Sequence, residues 1–111
     1  MQILEPHTLT SAQIDDLLAL MLELDPTISV TTEMLQRAAN APETHLFAAV
    51  GADGHILGCA SLCVYDSPTG RKASVEDVVV GSGFRGQGIG RALNYNTTMQ
   101  VNQFPKYYEI S

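Results

Sequence analysis

The chain predicts an α/β protein of the α+β kind: a mixed, mostly antiparallel sheet flanked by helices. Three observations predict it. Two amphipathic helical stripes occupy the first third of the sequence. Apolar strand patterns follow, two of them joined by a short turn containing Asp-Gly. The last strand pattern then runs into a glycine-rich turn that opens directly into another helix. Strands joined by hairpins pair antiparallel, whereas a parallel sheet needs long crossovers. At 111 residues the chain has room for a single domain, 1–111.

Met1 to Glu5 forms a short strand candidate ended by Pro6. Thr10 with Gln13 three residues later has the form of a capping box. Ile14, Leu17, Leu18, Met21 and Leu22 then recur at helical spacing, with Asp15, Asp16 and Glu23 on the other face. Asp25-Pro26 ends that helix. A second helix starts at Thr31 or Thr32, turns Leu35, Ala38 and Ala39 inward, and stops at Asn40-Ala41-Pro42. Leu46–Val50 and Ile56–Tyr65 are strands around the turn Gly51-Ala52-Asp53-Gly54, the pattern of a hairpin. Asp66-Ser67-Pro68-Thr69-Gly70 leads to a strand from Ala73 to Val80. Tyr107 to Ile110 adds a candidate final strand.

Hydrophobic content of 45% with 16% charged residues describes an ordinary globular chain. A net charge of −6 argues against a nucleic-acid partner. No apolar run has the length of a membrane span and the N-terminus has no leader pattern, so a cytoplasmic protein without a membrane partner is expected. Arg71, Lys72, Arg85 and Arg91, four of the six basic residues, lie in or just before the strand–turn–helix region. A locally basic site on an acidic body suits a small polyanion; scattered surface cations are the plainer alternative. Cys59 and Cys63 share a strand face but are spaced too far apart for an easy disulfide, and form no metal motif.

Five of the nine glycines fall between Gly81 and Gly90. Without Cβ atoms, successive backbone N–H groups can converge on an anion, and the unpaired N–H groups of the new helix add to the same pocket. The segment is a phosphate or pyrophosphate cradle. A Walker A loop is rejected, because Ile89-Gly90-Arg91 stands where Lys and Ser or Thr are needed. Gly81-x-Gly83-x-x-Gly86 matches the dinucleotide fingerprint literally, with Glu109 as a candidate ribose acid. That reading leaves Gly88 and Gly90 unexplained, and the preceding hairpins do not suit a parallel sheet.

Arg85-Gly86-Gln87-Gly88-Ile89-Gly90 fits the (Gln/Arg)-x-x-Gly-x-(Gly/Ala) signature of the GNAT N-acetyltransferase superfamily. The order of elements also resembles that superfamily, convincingly over positions 1 to 93. Val75-Glu76-Asp77-Val78-Val79-Val80 with the loop resembles glucosamine 6-phosphate N-acetyltransferases and related small-amine acetyltransferases. The resemblance implies the acyl-CoA N-acyltransferase fold, acetyl-CoA as co-substrate and a small primary amine as acceptor. Gly86, Gln87, Gly88, Ile89 and Gly90 would hold the pyrophosphate, with Arg85 and Arg91 lending charge. Val78, Val79 and Val80 match the strand whose backbone pairs with pantetheine. Glu76 and Asp77 match the acidic pair at the substrate end, as catalytic base or amine anchor. Independently of the resemblance, adjacent acids in a strand point to opposite faces, so at least one meets a cleft or buried setting. Their plainer alternative is a surface ion pair with Arg71 or Lys72. His45 and His55 have the look of partly exposed structural residues, though His45 could line the cleft; His7 lies in a loop with no partner visible in the sequence.

The superfamily carries further elements after this point, so the chain resembles a C-terminally truncated member. The last helix would turn Ile89, Ala92, Leu93, Asn96, Thr97, Gln100 and Val101 inward, and three polar residues break that stripe. The region 94–111 is therefore expected to be atypical: a truncation, an out-of-frame tail or a covered helix. An open sheet edge with Tyr95, Met99, Val101, Phe104, Tyr107 and Ile110 nearby predicts a homodimer through the C-terminal region. Two functions follow, an N-acetyltransferase acting by direct attack of the amine, or a CoA-binding structural relic with little turnover.

Overall fold

The computed structural model describes residues 1–102 and 109–110. A five-stranded sheet is built in spatial order β1 (Gln2–Leu4), β2 (Thr44–Val50), β3 (Ile56–Ser67), β4 (Gly70–Val80) and β5 (Glu109–Ile110). The first four strands pair antiparallel; among the described residues β5 pairs parallel with β4 at Lys72 and Ala73. Helices α1 (Ser11–Leu24) and α2 (Thr32–Asn40) cover one face and α3 (Ile89–Asn102) covers the other. Among the described residues no helix is long and apolar enough to cross a membrane.

The local signals act as chemistry requires. Thr10 Oγ1 accepts the Gln13 N–H at 3.2 Å while Gln13 Oε1 accepts the Thr10 N–H at 2.9 Å, closing the capping box. After α1, the Asp25 carboxylate takes both the N–H and the hydroxyl of Thr27, which holds its carboxyl below the usual range. Thr31 caps α2 through the Met34 N–H. Gln36 then clamps the Leu9 backbone by donating to its carbonyl and accepting from its N–H. That clamp ties the α1 entry to α2. Gly54, with φ +86°, turns the β2–β3 hairpin where Asp53-Gly54 predicts it.

The inward stripe of α1 differs from the expected one. Leu17 and Leu20 are buried, whereas Leu22 is 60% exposed. Two of its acids also reach the sheet and its loops. Asp16 Oδ2 accepts the Ile56 N–H at 3.0 Å, and Glu23 Oε1 accepts the Ser82 N–H at 2.9 Å. The start of β3 and the turn after β4 are thus both anchored to α1.

On the opposite face, α3 does not fail at its polar stripe. It continues to Asn102 and seats Thr97 against the sheet at 1% exposure, beside the buried Ile89 and Leu93. The Thr97 hydroxyl donates to the Asn94 carbonyl at 2.9 Å, so the side chain packs without an unsatisfied polar group. The unusual composition of this region is accommodated within the helix through residue 102. Phe104, Tyr107 and Tyr108 lie outside the described residues; Glu109 and Ile110 form the short final strand.

Candidate active site

β4 carries a bulge where its two acids lie. Glu76 opposes Ser61 and Val79 opposes Cys59, so Asp77 and Val78 together face the single residue Ala60. Asp77 absorbs the extra residue with φ +52°, the left-handed region that Asp enters more readily than most side chains. The bulge changes which way the chain faces. Ala73 and Val75 pack toward α3, but Val79 joins the cluster under α1 and α2. Strict alternation would put Glu76 and Asp77 on opposite faces; the extra residue brings both toward the α1–α2 side. Both carboxylates raise the Cys63 thiol there, after burial, the largest cause.

The two acids are not equivalent. Glu76 accepts a hydrogen bond from the Ser74 hydroxyl. Asp77 lines a cavity of about 220 Å³ between α1, α2 and the sheet. Among the described residues, no hydrogen bond or ion pair engages its carboxylate. Neither acid takes Arg71, which reaches Asp66 at 2.9 Å and Glu43 at 2.8 Å at the hairpin end of the strand. The basic cluster expected from the sequence is therefore divided along β4, with Arg71 and Lys72 near its start and Arg85 and Arg91 beyond its end. His45 also lies away from the cavity, 2.9 Å from Glu5 and stacked on Phe47.

Past Val80 the chain makes a short 3₁₀ turn, Ser82–Phe84, and then the glycine loop. Gly86 and Gly88 have φ of +81° and +83°. A Cβ at either would meet no protein atom within 4 Å, so the space beside the loop is open. The Ala92 N–H donates to the Gly88 carbonyl as the first helical bond of α3. By helix geometry, the N–H groups of Ile89, Gly90 and Arg91 then lack an intrahelical acceptor. Arg85 Nε donates to the Val80 carbonyl at 3.2 Å, with its guanidinium 3.9 Å from Glu23; Arg91 is exposed on the first turn of α3. Open space, left-handed glycines and a positive helix end fit a pyrophosphate.

Between loop and bulge, one edge of β4 pairs with no strand among the described residues, and Arg85 Nε takes the Val80 carbonyl. β3 holds the other edge through Val79 and Val80, but β5 reaches only Lys72 and Ala73. From Ser74 to Val80, no described strand pairs on that side. Four residue steps from Gly81 back to Asp77 cover on the order of 13 Å at about 3.3 Å per residue.

The sequence profile of the acetyltransferase (GNAT) family matches residues 12–97, from the first turn of α1 to the middle of α3. The chain belongs to the acetyltransferase (GNAT) family. Its sheet and flanking helices form the acyl-CoA N-acyltransferase fold of that family. A stretch of 51 residues is 41% identical to a streptothricin acetyltransferase from Streptomyces lavendulae; it spans 46% of this chain and about a quarter, 26%, of that enzyme. A putative acetyltransferase of known structure from Agrobacterium tumefaciens superposes with a TM-score of 0.81 at 20% identity, covering 100% of this chain and 81% of that one. The glucosamine-6-phosphate N-acetyltransferase of Arabidopsis thaliana superposes at 0.74 with 22% identity, over 99% and 80% of the two chains.

Sequence reasoning missed several residues around this candidate site. Ser61 and the apolar cavity wall come together only through sheet register and helix packing. Gly58 had a usable signal, since a lone glycine inside a strand marks close backbone approach. A Cβ there would lie 2.8 Å from the Val79 carbonyl. Glu23, which supports both Ser82 and Arg85, looked like an ordinary solvated acid.

Proposed function

We propose that the protein is an acetyl-CoA-dependent N-acetyltransferase acting on a small-molecule primary amine by direct attack. The observation that carries this reading is the alignment of three features along β4: the open glycine cradle, the unpaired strand edge and the carboxylate at the bulge. When bound, acetyl-CoA supplies a thioester whose acetyl group passes to the amine as the thiol leaves.

The chain's own groups divide the remaining work. Backbone N–H groups of Gly86 to Gly90, aided by the positive end of α3, hold the pyrophosphate, with Arg85 and Arg91 adding charge. The outer edge of β4 at Val78, Val79 and Val80, where Arg85 already takes the Val80 carbonyl, would bind pantetheine as an added strand and polarise the thioester carbonyl. Asp77 holds the incoming ammonium and takes its proton directly or through water. Glu76, already hydrogen-bonded to Ser74, acts at the edge of the site. We further propose that two copies associate through the C-terminal part of α3, where Tyr95 and Met99 are exposed.

Thiol release from acetyl-CoA across a panel of primary amines tests the reaction. Asp77→Asn should lose about 10²-fold or more in kcat while keeping CoA affinity by calorimetry. Glu76→Gln should lose much less. Tight CoA binding with no amine-dependent thiol release would leave a CoA-binding protein without turnover. Wild-type rates in both variants would remove the acids from catalysis.

A further inference from the structure

The cavity at Asp77 carries information about the acceptor. Its walls are apolar side chains from both helices and the sheet, among them Leu17, Met21, Ile28, Met34, Leu35 and Leu46. Its polar groups are few: Ser61 and Asp77 on the sheet side, and Asp25 at the end of α1. Asp25 gives one oxygen, Oδ1, to both the N–H and the hydroxyl of Thr27, and it stands at the C-terminal end of α1 rather than on the sheet. Among the described residues, no Lys, Arg or His lines the cavity.

The described lining disfavours two kinds of acceptor. A phosphorylated amino sugar brings a dianion and several hydroxyl groups. Desolvating these against leucine and methionine without partners is costly, and a hydroxyl alone costs a few kcal/mol. A polyammonium aminosugar needs several carboxylates and hydroxyl partners, and here Asp77 is the one carboxylate on the sheet side of an otherwise apolar wall. A single ammonium beside a single carboxylate, with an apolar remainder, is the combination that matches. The volume agrees, since an apolar cavity of about 150 Å³ already accepts benzene. The present 220 Å³ leaves room for a ring and a short arm. Met21 and Met34 are flexible and make favourable contacts with aromatic rings. Leu24, Ile28 and Met34 are partly exposed at the mouth, so the apolar surface continues outward.

We infer that the acceptor is a primary monoamine with an apolar body about the size of one aromatic ring, its ammonium at Asp77 and its body between α1, α2 and β2. This inference rests on the acetyltransferase reading above for the role of Asp77. It departs from the sugar-phosphate specificity that the strand and loop sequence resembles.

The four methionines permit a direct test on the intact protein. Met21 and Met34 line the cavity, while Met1 and Met99 lie elsewhere. With methyl-¹³C methionine, phenethylamine should shift the Met21 and Met34 signals saturably and leave Met1 and Met99 in place. Asp77→Asn should weaken that response at least tenfold. Glucosamine 6-phosphate and a polyammonium aminosugar should leave all four signals unmoved at the same concentration. In the thiol-release assay, phenethylamine should exceed glucosamine 6-phosphate at least tenfold in kcat/KM.

Still Met21 and Met34 signals under phenethylamine, or a stronger response to glucosamine 6-phosphate, would overturn the inference. Calorimetry with CoA on the same sample separates the two claims. CoA binding with no methionine response overturns the monoamine alone. A methionine response without CoA binding supports the amine site and overturns the acetyl-transfer reading.

Discussion

Asp77, Gly86 and Gly88 all hold left-handed backbone, and the cost differs among them. At Gly88, valine would bring a β-branched side chain to φ +83°, adding roughly 1–2 kcal/mol of strain. It would also fill the open space beside the N–H groups. Gly88→Val should therefore weaken CoA binding by about 2 kcal/mol or more, the loss of two charge-assisted hydrogen bonds. Gly83→Ala is the control, because Gly83 has no left-handed φ and a Cβ there meets nothing within 4 Å. Calorimetric affinities that fall equally in both variants would count against the cradle. A second residue-scale prediction concerns Cys59, whose thiol burial pushes up to about 12, with the Asp77 charge adding to the effect. The folded state keeps this proton longer than the unfolded chain does. The resulting stability is complete below the ordinary thiol range and is lost as pH rises through about 9 to 12, at up to about 1.4 kcal/mol per pH unit. Urea unfolding between pH 8 and 10 should show that decline in wild type and a weaker one in Cys59→Ala.

Local devices account for the elements that were legible in the sequence. The Thr10–Gln13 box, the Thr31 cap and the Asp53-Gly54 hairpin each depend on neighbours within a few residues. The glycine loop is similar, since positive φ at Gly86 and Gly88 and the α3 N-terminus all lie within one short stretch. What stayed hidden depends on partners far along the chain. The β4 bulge is defined by register against Ala60, and alternation alone put Glu76 and Asp77 on opposite faces. Leu20 replaces Leu22 in the core because the loop after β4 lies over that side of α1, where Gly81 nears Leu20. The Asp16 anchor likewise spans forty residues to Ile56. Removing it tests whether α1 fixes the hairpin: Asp16→Ala leaves the Ile56 N–H without its acceptor and should cost about 1–3 kcal/mol in urea unfolding. An unchanged midpoint would show that water replaces the carboxylate freely.

At the scale of the whole molecule, the two faces of the sheet are served unequally. Two helices close the face that holds the cavity, whereas among the described residues α3 is the one helix on the other. The inward side of α3 is settled by Ile89, Leu93 and Thr97. Its outward side presents Tyr95 at 67% exposure and Met99 at 42%, four residues apart and therefore neighbours on one helix face. Isolated exposed apolar residues are ordinary, but a ring and a thioether one turn apart form a stripe that two copies can share. A two-fold axis would set Tyr95 of each copy against Met99 of the other, giving the self-complementary contact that closed dimers use. The β4 edge and the α1–α2 cavity would remain accessible in that arrangement, so association should leave CoA affinity unchanged. Sedimentation at micromolar concentration should show a species of twice the 12.0 kDa chain mass. A Tyr95→Lys, Met99→Glu double variant should sediment as the single chain with its CoA binding intact. Wild type that already sediments as one chain would overturn the pairing, and a double variant that stays dimeric would move the contact away from α3.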